Sequence, residues 1–197
     1  FNGNVSTWDV SNVEAFLNVF DYAERFNQNV GNWDMSKAVS TSGMFAEAPL
    51  MNQDLSNWNI SRVQDMSFMV LSAEEFNADI GRWNVSRVVD MSFLFLRALR
   101  FNQDVSGWDT SSVRDMSYMF GVALQFDQNI SDWNVSSVCD MSYMFADTVA
   151  FNANLAAWNV IHVDSFELMF GNAASFNQDL CDWGPLMGMS AMVQVMF

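Results

Sequence analysis

Tryptophan recurs along this chain at a fixed interval of 25 residues, without an insertion or a deletion. A period between 20 and 50 residues is typical of repeat architectures, in which each unit buries its apolar face against its neighbours. The sequence therefore predicts a single solenoid domain over residues 1–197, with coils starting at residues 1, 26, 51, 76, 101, 126, 151 and 176. We interpret it as an excerpt of a longer array. The eight tryptophans are Trp8, Trp33, Trp58, Trp83, Trp108, Trp133, Trp158 and Trp183.

The composition supplies a core and limits the partners. Hydrophobic residues make up 51% of the chain, and 8 basic against 23 acidic residues give a formal charge of −15. Such a charge repels nucleic acid and anionic lipid, so protein or glycan partners are favoured. The apolar stretch 185–197 is too short to span a bilayer, and we predict no transmembrane segment.

Two hydrophobic periods occur within each coil. In the first half of the fifth coil, Trp108 and Thr110 alternate with polar residues, which is the pattern of a half-buried strand. In the second half, Val113, Met116 and Phe120 fall at helical spacing. We therefore predict a leucine-rich-repeat-like solenoid of eight 25-residue coils, each with a short parallel β-strand and a short helix. Tryptophans of successive coils are then expected to stack.

Other recurring residues fit this coil. Serines such as Ser61 and Ser86 occupy the predicted N-cap of the helix. Asp65, Asp90, Asp115 and Asp140 follow in its first turn, where negative charge interacts favourably with the helix dipole. The recurring methionines are assigned to the inward helical face as core residues. They are Met44, Met66, Met69, Met91, Met116, Met119, Met141, Met144 and Met169.

The repeat also resembles a known family. The run from Phe101 to Ser111 and the Met119–Phe126 segment, which recur along the chain, are similar to the BspA-like repeat of bacterial surface proteins and mycoplasma lipoproteins. The resemblance covers all eight coils. It implies a leucine-rich-repeat-like solenoid, displayed at a cell surface or secreted, with adhesion as its role. It brings no catalytic residue with it.

One outward column is the predicted binding surface. If the strand alternation holds, small polar groups form a flat and regular array that faces solvent. Its partner is expected to be a protein or a glycan at a surface, or an ordered lattice such as ice or mineral, although threonine would be more typical of an ice binder. The column consists of Asp9, Asp34, Asn59, Asn84, Asp109, Asn134 and Asn159, with Ser61, Ser86, Ser111 and Ser136 beside it.

Two further polar columns have structural explanations. Asn2, Asn27, Asn52, Asn77, Asn102, Asp127, Asn152 and Asn177 form an asparagine ladder, which we predict to be internal and to satisfy the backbone at sharp bends. The second column holds Asp54, Asp79, Asp104 and Asp179, with asparagine in the other coils. It could coordinate calcium, the one cofactor considered, or it could cap turns, at which Asp and Asn are interchangeable.

The same repeat generates Asn-X-Ser triplets. Those at Asn59, Asn84 and Asn134 are candidate glycosylation acceptors if the chain passes through a eukaryotic secretory pathway. Their number carries little weight because the repeat produces them automatically.

No catalytic site is predicted. The rare residue types are scattered: His162 is the only histidine, and we expect it to be solvated. Cys139 and Cys181 lie at unrelated positions of the repeat and are predicted to be buried thiols. No zinc-ligand spacing or phosphate-binding loop is present.

The sequence thus predicts a non-catalytic, extracellular or cell-surface repeat protein for adhesion, for protein or glycan recognition, or for filament-like assembly through end-to-end self-association. A calcium-binding or lattice-binding solenoid is the alternative.

Overall fold

The structure is a computed structural model that describes residues 1–184 and Met196. Within these residues, regular secondary structure is limited to a 3-10 helix, Cys181–Trp183. Single parallel bridges join consecutive repeats, in the order Ala15, Ser40, Asp65, Asp90, Asp115, Asp140 and Ser165. The predicted leucine-rich-repeat-like solenoid, with a strand and a helix in every coil, is therefore wrong. Each repeat is an irregular series of turns.

The second half of each repeat is not a helix because its N–H groups alternate between two kinds of partner. In the third repeat, the N–H groups of Met66 and Phe68 donate to the carbonyl oxygens of Asp90 and Ser92 in the next repeat, at 2.9 and 3.0 Å. The next N–H, that of Met69, instead donates to the carbonyl of Met66, three residues back. An α-helix would bond each N–H to the carbonyl four residues earlier. Every second amide is thus used to join neighbouring repeats.

Left-handed backbone conformations mark this half of the repeat. Phe68 and Ser72 have φ values of 59° and 55°, and the equivalent residues of the other described repeats are also positive. Positive φ is uncommon outside glycine, and a right-handed helix does not contain it. Among the residues that the structure describes, those with positive φ are Asn18, Tyr22, Gly43, Glu47, Phe68, Ser72, Phe93, Arg97, Tyr118, Val122, Tyr143, Asp147, Leu168 and Asn172.

The first half of each repeat consists of turns rather than a strand. The N–H of Trp108 donates to the carbonyl of Val105, and the N–H of Val113 to that of Thr110. Trp108 and Thr110 are buried while Asp109 is exposed. The predicted alternation of burial is therefore correct, although turns produce it.

The core lies inside the turns and is continuous from repeat to repeat. The rings of Trp58 and Trp83, and those of Trp108 and Trp133, stack at centroid distances of 6.2 Å, which confirms the predicted stacking. Each indole N–H from Trp33 to Trp183 donates to a carbonyl of the preceding repeat, at 2.9 to 3.1 Å. The predicted burial of the nine methionines is also confirmed.

Three smaller predictions concern the two cysteines, membrane-spanning segments and the apolar stretch 185–197. Cys139 and Cys181 are exposed, not buried: Cys139 directly precedes the bridge residue Asp140, and Cys181 begins the 3-10 helix. Among the described residues, no helix has the length and apolarity needed to cross a bilayer. The apolar stretch 185–197 lies outside the described residues except for Met196.

Candidate binding surface

Seven side chains, one from each of the first seven repeats, form an exposed column, which we call the Asx column. In each of them Oδ1 accepts the backbone N–H two residues later, as in an Asx turn. The distance is 3.1 Å for Asp109 and Ser111, and 3.1 Å for Asn84 and Ser86. The members are Asp9, Asp34, Asn59, Asn84, Asp109, Asn134 and Asn159, all of them exposed.

The turn fixes one polar atom of each Asx side chain and leaves the other for solvent. Within the described part of the chain, neither the Oδ2 atoms of its aspartates nor the Nδ2 atoms of its asparagines take part in a hydrogen bond to protein. The column therefore presents one carboxylate oxygen or one amide group per repeat.

The serines beside the column support these turns. Ser61, Ser86, Ser111 and Ser136 are half-buried rather than fully outward. The hydroxyls of Ser86 and Ser111 donate to Oδ1 of Asn84 and Asp109, at 2.8 and 2.6 Å. The serines therefore lie beside the column, as predicted. The hydroxyls of Ser86 and Ser111 are already hydrogen-bonded to the column side chains.

The carboxylates of the column are held in the ionised form. The hydroxyl of Ser111, followed by its backbone N–H, lowers the pKa of Asp109 below its ordinary value, because both hydrogen bonds favour the charged oxygen. Ser11 and Ser36 lower the pKa values of Asp9 and Asp34 in the same way. The column is thus a mixed array of fixed negative charges and neutral amides.

The asparagine ladder connects repeats through the backbone. Oδ1 of Asn77 accepts the N–H of Asn102 at 2.9 Å, and Oδ1 of Asp127 accepts the N–H of Asn152 at 2.9 Å. The prediction that the ladder satisfies the backbone is confirmed. The prediction that it is internal is wrong, since all its members except half-buried Asn77 are exposed.

The carboxylates considered for calcium lie in turns. Oδ1 of Asp54 and of Asp104 accepts the N–H of the serine two residues later, at 2.9 Å in both cases. Asp79 and Asp179 accept from Gly81 and Cys181. Among the described residues, no group of three or more His, Cys, Asp or Glu side chains is placed to hold a metal ion. The turn-capping interpretation of this column is confirmed, while calcium binding stays a prediction.

The second acidic column has a different role from the one predicted. Asp65, Asp90, Asp115 and Asp140 are half-buried at the parallel bridges, where no helix begins. Each Oδ1 accepts the N–H and the hydroxyl of the serine two residues later. They fix the chain where repeats join.

The remaining sequence candidates do not form a cluster. Asn59, Asn84 and Asn134, the candidate glycosylation acceptors, are exposed, and so is His162. Two surface depressions of about 160 and about 400 Å³ are lined by turn residues, among them Cys181 in the first and Arg82 in the second, and neither includes His162.

Sequence reasoning missed two features of the surface. Phe68, Phe93, Tyr118 and Tyr143 stack in a line at centroid distances of 4.5 to 4.7 Å, with Phe68 exposed and the other three half-buried. The predicted helix gave no reason to single them out. Lys37, Arg62 and Arg87 form the second feature, and their spacing of 25 residues was the signal that could have revealed it.

The structure therefore defines a protein of the tandem-repeat class, whose units pack in register and expose columns of side chains from equivalent positions. The family model for a Mycoplasma protein of unknown function, DUF285, matches residues 1–80 and 100–196, and the chain belongs to this family. Neither a curated protein nor a solved structure matches the chain.

Proposed function

We propose that the chain is a non-catalytic recognition protein, displayed at a cell surface or secreted, that binds a protein or a glycan through the Asx column. The observation that supports it most is the regular repetition of one exposed polar atom in each of seven repeats. This atom is Oδ2 of an aspartate or Nδ2 of an asparagine, on side chains whose Oδ1 is fixed by a turn. Weak contacts at fixed spacing add up when a partner is itself repetitive. The BspA-like resemblance of the repeat motif favours the same role and location.

Substitutions that preserve the turn but change the exposed atom test this proposal. Asn59→Asp/Asn84→Asp keeps both Oδ1 acceptors, as Asp34 and Asp109 do, and replaces two outward amides by carboxylate oxygens. The matched control is Asn32→Asp/Asn57→Asp, which adds the same charge at exposed asparagines outside the column. Binding to arrays of neutral glycans and of proteins should change for the column variant and be retained by the control. Equal profiles for all three proteins would remove the Asx column as the binding surface.

End-to-end assembly is the second candidate function. The same contacts join consecutive repeats at each described junction, for example the indole N–H of Trp83 to the carbonyl of Leu55 and that of Trp108 to the carbonyl of Ile80. Repeats of two chains that met in the same register could form these contacts as well. Light scattering and negative-stain microscopy distinguish the two functions, because fibres that dissociate on Trp8→Glu substitution would indicate assembly, whereas monomers at all concentrations would exclude it.

Calcium or lattice binding is the alternative from a different class. A melting temperature that is unaffected by calcium and by chelator, together with the absence of thermal hysteresis, would eliminate both forms.

A further inference from the structure

Three basic side chains at the same position of consecutive repeats form a line, which we call the cationic stripe. Lys37, Arg62 and Arg87 are all exposed. The parallel bridges that join Ser40 to Asp65 and Asp65 to Asp90 bring the same repeats together three residues further along the chain. Backbones paired in this way lie about 4.8 Å apart, so the stripe carries roughly one positive charge per 5 Å.

Arg62 and Arg87 form no ion pair with a carboxylate in the described part of the chain. Among the described residues, the one ion pair is that of Arg100 with Glu75, at 2.7 Å. The Asx column has its neutral members Asn59 and Asn84 in the repeats that carry these two arginines.

The acidic residues that lie closest in sequence to the two arginines already accept hydrogen bonds from serines. Asp65 and Asp90 follow the arginines by three residues, are half-buried, and accept hydrogen bonds from Ser67 and Ser92.

Lys37 contributes less than the arginines to the positive charge. Its Nζ donates to Oδ1 of Asn12 at 2.6 Å. Its charge also interacts with Asp9 and Asp34. The centre of positive charge is therefore at Arg62 and Arg87.

A positive line of this kind on a chain with a formal charge of −15 selects the shape of its partner as well as its charge. A broad polyanion such as duplex DNA would meet the surrounding carboxylates and be repelled. A narrow, extended chain with one anionic group per repeat of the stripe avoids this repulsion. Linear polysaccharides of uronic acids have one carboxylate on each sugar, and guanidinium groups bind carboxylates through two parallel hydrogen bonds.

We propose that the cationic stripe, centred on Arg62 and Arg87, is a binding site for a linear polyuronate. The site is separate from the Asx column, and it adds an anionic glycan to the partners of this protein. Binding is expected to weaken as salt is added, because the contacts are between exposed charges.

The experiment measures binding of the whole chain to polygalacturonate at low ionic strength. Fully methyl-esterified polygalacturonate, which has the same sugar chain without the charges, is the ligand control. Arg62→Gln/Arg87→Gln should weaken polygalacturonate binding by on the order of tenfold. Arg25→Gln/Arg97→Gln, which removes the same charge from exposed arginines outside the stripe, should change it by less than about twofold.

Four results would overturn the proposal: no binding by the unmodified chain, equal binding of the esterified polymer, equal losses in the two double variants, or tighter binding of poly-L-glutamate, which would indicate an acidic peptide as the partner. Circular dichroism of both variants verifies that they fold. The Asx-column test uses neutral glycans and proteins as probes, so its outcome is independent of this one.

Discussion

The indole N–H of Trp108 donates to the carbonyl oxygen of Ile80, 28 residues earlier and one repeat away, at 3.1 Å. This bond is buried, and its equivalent occurs in each described repeat from the second to the eighth. A side chain of the core thereby also satisfies the backbone of its neighbour. Tryptophan is consequently required for more than its size.

Replacing this tryptophan by phenylalanine should separate the two roles. Trp108→Phe keeps an aromatic ring but removes this buried hydrogen bond, and the carbonyl of Ile80 then accepts the backbone N–H of Trp83 alone. We therefore expect the free energy of unfolding to fall by about 0.5–1.5 kcal/mol. Trp8→Phe is the matched control, since Trp8 is 50% exposed and should lose less than about 0.5 kcal/mol. Urea denaturation of both variants measures the difference, and equal losses would contradict the role of the N–H.

Gly81 lies where a neighbouring repeat leaves no room for a side chain. A Cβ atom at this position would collide with the carbonyl oxygen of Asp104, so Gly81→Ala must push the fourth and fifth repeats apart. We expect a loss of about 1–3 kcal/mol in stability. At Gly107 the nearest atom to a Cβ would be 4.0 Å away, and Gly107→Ala should change stability by less than about 0.5 kcal/mol. Thermal unfolding compares the pair, and an equally stable Gly81→Ala chain would count against the close approach.

Thr41 is buried with a hydroxyl that has no hydrogen-bond partner among the described residues. Thr41→Val removes that unpaired group at nearly constant volume and should stabilise the protein by about 1–2 kcal/mol. Thr110 provides the opposite case, because its buried hydroxyl donates to the carbonyl of Asn134 at 3.0 Å. Thr110→Val should therefore destabilise by about 1 kcal/mol. Denaturation midpoints that shift in the same direction for both variants would refute this account.

The asparagine ladder can be tested at Asn77, whose Oδ1 accepts the N–H of Asn102. Asn77→Leu leaves that N–H to solvent and should lower the free energy of unfolding by about 0.5–1.5 kcal/mol. Asn77→Asp retains the acceptor, as Asp127 does naturally in the same ladder. Amide exchange at Asn102 should accelerate in the leucine variant alone, and unchanged exchange there would show that the bond does not protect this amide.

Asp109 should make stability depend on pH in acid. Its pKa is lowered in the folded protein by the hydroxyl and the N–H of Ser111. The contribution of the ionised side chain is therefore fully present above its unfolded pKa and is lost as the pH falls through the lower folded pKa. Carbon-detected NMR titration should place this pKa below the ordinary aspartate value.

The asparagine variant isolates this effect. Asp109→Asn keeps the turn, as Asn84 does, and removes the titrating group. As the pH falls from about 5 to about 2, the parent should lose stability relative to Asp109→Asn. A difference that stays constant over this interval would mean that the hydrogen bonds do not favour the ionised form.

The 25-residue period and the inward and outward positions could be predicted from the sequence, whereas the secondary structure could not. Val113, Met116 and Phe120 are spaced three and four apart, which a helix and a series of three-residue turns satisfy equally. Most of the left-handed residues were also hidden, because only Asn18, Gly43, Asp147 and Asn172 are of types that favour positive φ. In the other repeats bulky residues such as Phe93 and Tyr118 are held there by bonds to the adjacent repeat.

The exposure of the Asx column could also be predicted from the sequence, for a related reason. Asp109 and Asn84 are exposed in a turn just as they would be in the predicted strand, because a polar residue between two buried ones faces solvent in either conformation. The role of the adjacent serines depends on Asx-turn geometry, which the strand prediction excluded. Burial of Cys139 was inferred from residue type alone, whereas the residue lies exposed beside the bridge at Asp140.

The bonds between repeats have a kinetic consequence. They join residues separated by about one period, 25 for Asn77 and Asn102 and 28 for Ile80 and Trp108. Closing a longer loop costs more conformational entropy, and proteins whose contacts join residues further apart in the sequence fold more slowly. Adding a repeat leaves these separations unchanged, so an array of this kind can lengthen without making any single closure step slower.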